Sequence, residues 1–138
     1  MDVKVRAFCD AVDGFAFLAR LDMVEQARTL PDPRLVDGLQ NGRAQKLEYT
    51  VELCWKALKA YLKQVEGIDE SSPKKIIKAS FRAELLSEDD YLLLLTALDD
   101  RNRLSHVYSD AVFMQILARL GDYATLFERI RDRLEMST

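Results

Sequence analysis

Tyr91-Leu92-Leu93-Leu94-Leu95-Thr96-Ala97-Leu98-Asp99-Asp100-Arg101-Asn102-Arg103-Leu104-Ser105-His106-Val107-Tyr108 is the stretch whose reading decides the fold. Tyr91, Leu94, Leu95 and Leu98 recur at i, i+3, i+4 and i+7, the spacing of a helical stripe that faces a core. Extending that stripe puts Arg101, Asn102 and Ser105 at the next inward positions, with His106 one turn beyond Asn102. Polar groups where the pattern calls for apolar ones mark a functional site or a helix end that runs out into solvent. His106 is also the only histidine in the chain.

Helical signals surround this stretch on both sides. Residues 2–29 read as a first helix, with Phe8, Val12, Phe15 and Ala19 on one face and Gly14 weakening it by about 1 kcal/mol relative to alanine. Pro31 ends that helix, and Asp32 caps a restart with Pro33 at the first helical position. Gly38 and Asn41-Gly42 leave residues 32–42 open between helix, turn and frayed start. From about Arg43 to Glu66 a long helix carries one stripe of Leu47, Val51, Cys54, Leu58, Leu62 and Val65. A second stripe of Tyr49, Leu53, Ala57 and Tyr61 lies beside it, so the helix is covered on more than one side until Gly67 stops it. Ser72-Pro73 opens a third helix to about Leu85, and Ser87 with Asp90 makes a capping-box-like start for the fourth. Ser109-Asp110 caps a last helix with a near-heptad seam of Phe113, Ile116, Leu120, Tyr123, Phe127, Ile130 and Leu134. The fold class is therefore all-α: an antiparallel four-helix bundle with an additional short helix.

Composition narrows the function classes. A chain of 138 residues fits a single domain spanning 1–138, and 49% hydrophobic with 31% charged residues is ordinary for a helical protein. A net charge of −3 argues against a broad electrostatic grip on nucleic acid and leaves a local basic face open. Cys9 and Cys54 form neither a disulfide framework nor a metal pair, which fits a reducing cytoplasm. There is no secretory segment, and the apolar run Leu92 to Leu95 is too short to span a bilayer, so no membrane role is expected.

Three segments carry a family resemblance: Arg101-x4-His106-x-Tyr108; the run Gln45-Lys46-Leu47-Glu48-Tyr49-Thr50-Val51-Glu52-Leu53-Cys54-Trp55-Lys56-Ala57-Leu58-Lys59; and Ser72-Pro73-Lys74-Lys75-Ile76-Ile77. In this order they resemble the HEPN superfamily, small all-helical proteins of prokaryotic defence modules, and within it the nucleotidyltransferase substrate-binding branch. The match spans about residues 42 to 130, and the first forty residues match only as a helix of suitable length. The resemblance implies a minimal nucleotidyltransferase partner encoded nearby and a homodimer with a composite cleft; no cofactor is expected. It also implies that Tyr108 receives nucleotidyl groups from the partner; a tyrosine packing at a helix junction is the alternative.

The residues permit a specific chemistry. Arg101 and His106 are offset by about 140° on an ideal helix and converge only if the helix ends near Ser105. Arg101 then fixes a phosphate, His106 acts as general acid or base, and Asn102 holds the histidine's tautomer or the phosphate. That suits metal-independent RNA cleavage, in which a 2′-hydroxyl attacks the adjacent phosphorus. One histidine per chain supplies two proton-transfer groups only through a two-fold dimer. Lys74, Lys78 and Arg82, at i, i+4 and i+8, form a phosphate-binding stripe or a solvated face, with the solvated face favoured. The same holds for the lysines of the long helix, where Glu52 can pair with Lys56, and Trp55 is expected in the core rather than as a ligand platform. Asp89-Asp90 and Asp99-Asp100 point about 100° apart within each pair and suit ion pairs better than Mg²⁺. The chain contains no Gly-Ser pair leading to paired aspartates, so it is not itself the transferase. Two function classes stay open: a binding subunit that presents a substrate, or itself, to a nucleotidyltransferase, and a ribonuclease toxin held in check by one, with nucleotide or RNA as ligand.

Overall fold

Asp32 and Pro33 start the longest element. The Asp32 carboxylate accepts from the Arg34 amide at 2.9 Å and Pro33 takes the first helical position, launching α3 (Pro33–Tyr61). The helix is 29 residues long, about 43 Å at 1.5 Å per residue. Residues 33–42 are therefore helical despite Gly38 and Gly42. The compensation comes from Arg43, which is buried and donates to the carbonyls of Leu18 at 2.8 Å and Ala19 at 3.1 Å. Those carbonyls belong to the last turn of α1 (Val3–Ala19), where a helix leaves its acceptors unsatisfied. At the other end of the pair Gln64 reaches the Asp2 carboxylate at 2.7 Å, so α1 and α3 run antiparallel.

The computed structural model describes residues 1–106 and 109–137, with α2 (Met23–Thr29), α4 (Pro73–Arg82), α5 (Glu88–Leu104), α6 (Asp110–Leu117) and α7 (Leu120–Met136) completing the helices. Ion pairs give the remaining directions. Arg20 binds Glu128 and Arg131 binds Asp13, which sets α7 antiparallel to α1. Arg129 binds Asp90 while Arg119 binds Asp100, which sets α7 antiparallel to α5. The result is an antiparallel bundle of α1, α3, α5 and α7, with α2, α4 and α6 as short connectors. Phe8 and Phe15 meet Phe127 edge-to-face at centroid distances of 6.0 and 5.4 Å in its core.

Several elements differ from the sequence expectation. The helix expected over 2–29 breaks after Ala19, because Arg43 takes its final carbonyls and Asp22 caps a new start through the amides of Val24 and Glu25. The α3 helix ends at Tyr61 and widens into a π turn (Leu62–Glu66) before Gly67, whose φ of 67° is the left-handed stop. Val65 is exposed on that turn, and Tyr49 is exposed from the second stripe. The α4 helix stops at Arg82 rather than near Leu85, and Glu84 turns the chain with a φ of 64°. The last helix divides at Ala118-Arg119, although Ile116, Leu120, Tyr123, Phe127, Ile130 and Leu134 stay buried across the break. Ser109 stands at the N-cap of α6, but its hydroxyl makes no capping bond among the described residues. The expected caps at Ser72 and Ser87 do form, to the amides of Lys75 at 3.3 Å and Asp90 at 3.1 Å.

The largest departure concerns the stripe of α5. Leu94 and Leu98 face the core as expected, but the polar residue that follows them inward is Asp100, three positions after buried Ala97. Asn102, Ser105 and His106 are exposed instead, and Arg101 is half-buried. Asp100 points inward because two groups meet it there. Arg119 grips both carboxylate oxygens at 2.8 Å through Nε and Nη2, and the buried Tyr123 hydroxyl donates at 2.5 Å. Burial first, then the Asp100 carboxylate, push the Tyr123 phenol well above its ordinary pKa; the hydrogen bond to Asp100 raises that of Arg119. This assembly predicts an order of stabilities. Asp100→Ala strands a guanidinium and a buried hydroxyl and is expected to cost about 3–5 kcal/mol. Tyr123→Phe, which leaves Arg119 on the carboxylate, should cost about 1 kcal/mol. The exposed neighbour Asp99→Ala should stay within about 0.5 kcal/mol of the parent. Urea unfolding ranks the three, and matching midpoints for Asp100→Ala and Asp99→Ala would contradict the packing described.

Candidate functional site

Glu52, in the middle of α3, collects three donors. Its Oε2 accepts from the Trp55 indole at 3.0 Å and pairs with Arg101 Nη2 at 3.1 Å, while Oε1 lies 3.5 Å from Lys56 Nζ. The pairing with Lys56 is the i, i+4 contact expected from the sequence. The other two give Glu52 a different task. Trp55 is one turn away on the same helix, so the carboxylate locks its ring; Arg101 comes from α5, so the same carboxylate ties two helices. Trp55 is half-buried and packs against the core, as expected, while one part of its ring lines the surface.

Beside this hub lies a cleft of about 410 Å³ between α3, α4 and α5. Trp55 and Glu52 form one wall, Leu98, Arg101 and Asn102 another, and Ser72, Pro73 and Lys74 at the start of α4 close the end. Arg101 Nη1 donates to Asn102 Oδ1 at 3.4 Å, and its buried Nε has no hydrogen-bond partner among the described residues. A guanidinium, an ammonium and the positive end of a helix dipole thus face a space with one carboxylate, an arrangement suited to an anionic group of phosphate size.

The structure sorts the expected site residues. Arg101 and Asn102 share the cleft, and Lys74 of the expected basic stripe joins them. Lys78 and Arg82 are exposed on α4 and do not line it. The helix does end where convergence requires, with α5 stopping at Leu104 and the His106 amide donating to the Arg103 carbonyl at 2.8 Å. His106 is exposed and does not line that cleft. Tyr108 lies outside the described residues. Asp90 and Asp100 are taken by Arg129 and Arg119, and the described residues contain no group of three or more His, Cys, Asp or Glu able to hold a metal. Both cysteines are free; burial raises Cys9 to about 11 and moves the fully enclosed Cys54 further in the same direction. No helix among the described residues is long and apolar enough to cross a membrane. Sequence reasoning expected ion pairs at Asp90 and Asp100, which form, but missed the burial of Asp100 and the Glu52–Arg101 bond; the i, i+3 spacing of Glu52 and Trp55 was the one local signal available.

The chain matches the family model described as nucleotidyltransferase substrate binding protein like over residues 16–136. No curated protein matches it. A crystal structure of a protein from Thermus thermophilus is 34% identical, with 91% of this chain and 96% of that chain covered and a TM-score of 0.77. A tri-AMPylated HEPN toxin of Shewanella oneidensis, solved in complex with MNT antitoxin, gives a TM-score of 0.79 over 99% of each chain at 13% identity. At that identity the likeness is one of fold, and the fold is HEPN.

Trp55 is the only tryptophan in the chain, so it reports on the hub directly. Glu52→Ala frees the indole N–H to hydrate, and its fluorescence emission is expected to shift to the red. Stability should change by no more than about 1 kcal/mol, because the charged partners are partly solvated. Arg101→Ala leaves the indole–carboxylate bond in place and should leave the emission nearly unmoved. Identical spectra for wild type and Glu52→Ala would contradict the geometry.

Proposed function

Because the chain belongs to the nucleotidyltransferase substrate binding protein like family over residues 16–136, we propose that it is the binding subunit of a two-component nucleotidyltransferase and is itself the modified target. The family match is the observation that carries this reading. The chain's own chemistry agrees with it. It offers an anion-sized cleft at Arg101, Asn102 and Lys74, while Asp90 and Asp100, carboxylates of the kind a transferase uses to hold metal, are consumed by arginines. The catalytic aspartates then belong to a separate minimal nucleotidyltransferase. A HEPN relative of the same fold is AMPylated and bound to MNT antitoxin, which supports a partner of that kind here. In the motif Arg101-x4-His106-x-Tyr108 the tyrosine is the acceptor we assign, its phenolate oxygen attacking the α-phosphorus of the nucleotide as pyrophosphate leaves.

Two measurements test this reading. The chain and the product of an adjacent transferase gene should co-elute at micromolar concentration; separate elution overturns the binding-subunit assignment. With that partner, ATP and Mg²⁺, the chain should gain one or more AMP masses, and Tyr108→Phe should abolish the gain. A gain that persists in the Phe variant removes Tyr108 from the acceptor site.

A second reading, RNA cleavage by a homodimer, has one observation in its favour. His106 is exposed beyond the end of α5 while Arg101 lies in the cleft, which leaves the histidine accessible to a second chain. Once wild type shows cleavage, His106→Ala and Arg101→Ala chains should each be inactive alone. An equal mixture should regain up to about a quarter of wild-type activity, since half the dimers then hold one complete half-site. A mixture that stays inactive, or a chain that remains monomeric at micromolar concentration, overturns the composite cleft.

A further inference from the structure

Lysines are unevenly placed on this acidic chain. Lys56 and Lys59 on the last turns of α3 and Lys63 on the π turn that follows recur at i, i+3 and i+7, and antiparallel packing brings Lys4 of α1 beside them. Together they line a second cleft of about 290 Å³, whose one carboxylate, Asp2, is already engaged by the Gln64 amide group and the Lys4 backbone N–H. Trp55 lines this cleft as well as the Arg101 cleft, so the two adjoin across a single indole. Lys56 Nζ sits 5.7 Å from the centroid of that ring. The ring cannot turn freely, because Glu52 holds its N–H. Across both clefts six cationic side chains face two carboxylates, and each carboxylate is occupied.

We propose that the two clefts form one track for a single-stranded oligonucleotide, with a base stacked on Trp55 and successive phosphates held by Lys59 and Lys63 on one side and by Lys74 and Arg101 on the other. A fixed aromatic face flanked by cations on both sides is how strands are gripped without reading sequence, since every base has a π-face and every linkage one charge. A mononucleotide would fill only one of the two clefts, which favours a strand. The net charge of −3 does not oppose this, because binding follows the local field. The track goes beyond the partner-subunit reading and does not depend on it; it shares the Arg101 cleft with the RNA reading but rests on binding alone, so a strand that binds without being cleaved leaves it standing.

The test uses the full chain and labelled oligo(U) and oligo(dT) about twelve nucleotides long, followed by fluorescence anisotropy at low salt, with Trp55 quenching as an independent signal. Both oligomers should bind, and tighter binding of oligo(U) would place a 2′-hydroxyl contact in the track. The double variant Lys59→Glu/Lys63→Glu should lose at least about tenfold in affinity and flatten the log–log salt slope by about 1.4. Trp55→Leu should also lose about tenfold or more, while Lys46→Glu, midway along α3 and outside both clefts, should bind as wild type does. Absence of binding overturns the proposal, as does an equal loss in Lys46→Glu. ATP competing as well as the oligomers would reduce the track to one nucleotide pocket and overturn it. So would a Lys59→Glu/Lys63→Glu chain that keeps its oligonucleotide affinity but no longer co-elutes with the transferase, since the lysines would then be a protein-docking face. None of these failures touches the AMP-transfer test, which reads the partner-subunit assignment separately.

Discussion

The carboxylate of Asp100 is the constraint on which the arrangement of α5, α6 and α7 depends. A buried charge is tolerable only when its lone pairs are filled, and here a bidentate guanidinium and a phenol fill them. Arg119 sits at the junction between α6 and α7, so the need to satisfy Asp100 coincides with the point where the last helix breaks. Tyr123 follows one turn later in the α7 seam, which places the anchor inside the core rather than on its rim. With the C-terminal half of α5 held this way, the next residue, Arg101, is turned toward α3. The position of the candidate site follows from the anchor.

Glu52 performs a related task under different solvation. It is a carboxylate among cations, partly exposed, and so contributes little to stability while fixing two side chains of opposite character. Its hold on Trp55 keeps a flat apolar face between two clefts, and its hold on Arg101 keeps a guanidinium at the edge of one of them. Orientation of this kind lowers the entropic cost of ligand binding, since the groups are already placed. The same bond fixes Arg101 at the wall of the cleft that Asn102 and Lys74 also line.

Arg43 links fold and site by a longer route. By taking the carbonyls of Leu18 and Ala19 it ends α1 and fastens the N-terminal half of α3, glycines included. The antiparallel register that follows carries Lys4 to the far end of α3, beside Lys59 and Lys63. A basic cleft on an acidic protein is thus a product of register.

What the sequence determined by itself is what local stereochemistry controls. Asp32-Pro33, Ser72-Pro73 and Ser87 start helices, Gly67 stops one with a positive φ, and the seam from Ile116 to Leu134 is buried as its spacing implies. Each depends on residues within a turn or two of one another, so all were legible, and with them the all-α bundle and the proximity of Arg101 and Asn102, which line one cleft. The tertiary structure alone decided the break after Ala19, the helical path through Gly38 and Gly42, the division at Arg119, the inward turn of Asp100 and the capture of Arg101 by Glu52. These join residues about twenty to fifty positions apart. On an isolated helix, position 101 falls inside the stripe drawn from Leu94, Ala97 and Leu98, and position 100 lies about 60° outside it. Only the arrival of Arg119 and Tyr123 on one side, and of Glu52 on the other, determines which of them enters the core and which faces the cleft.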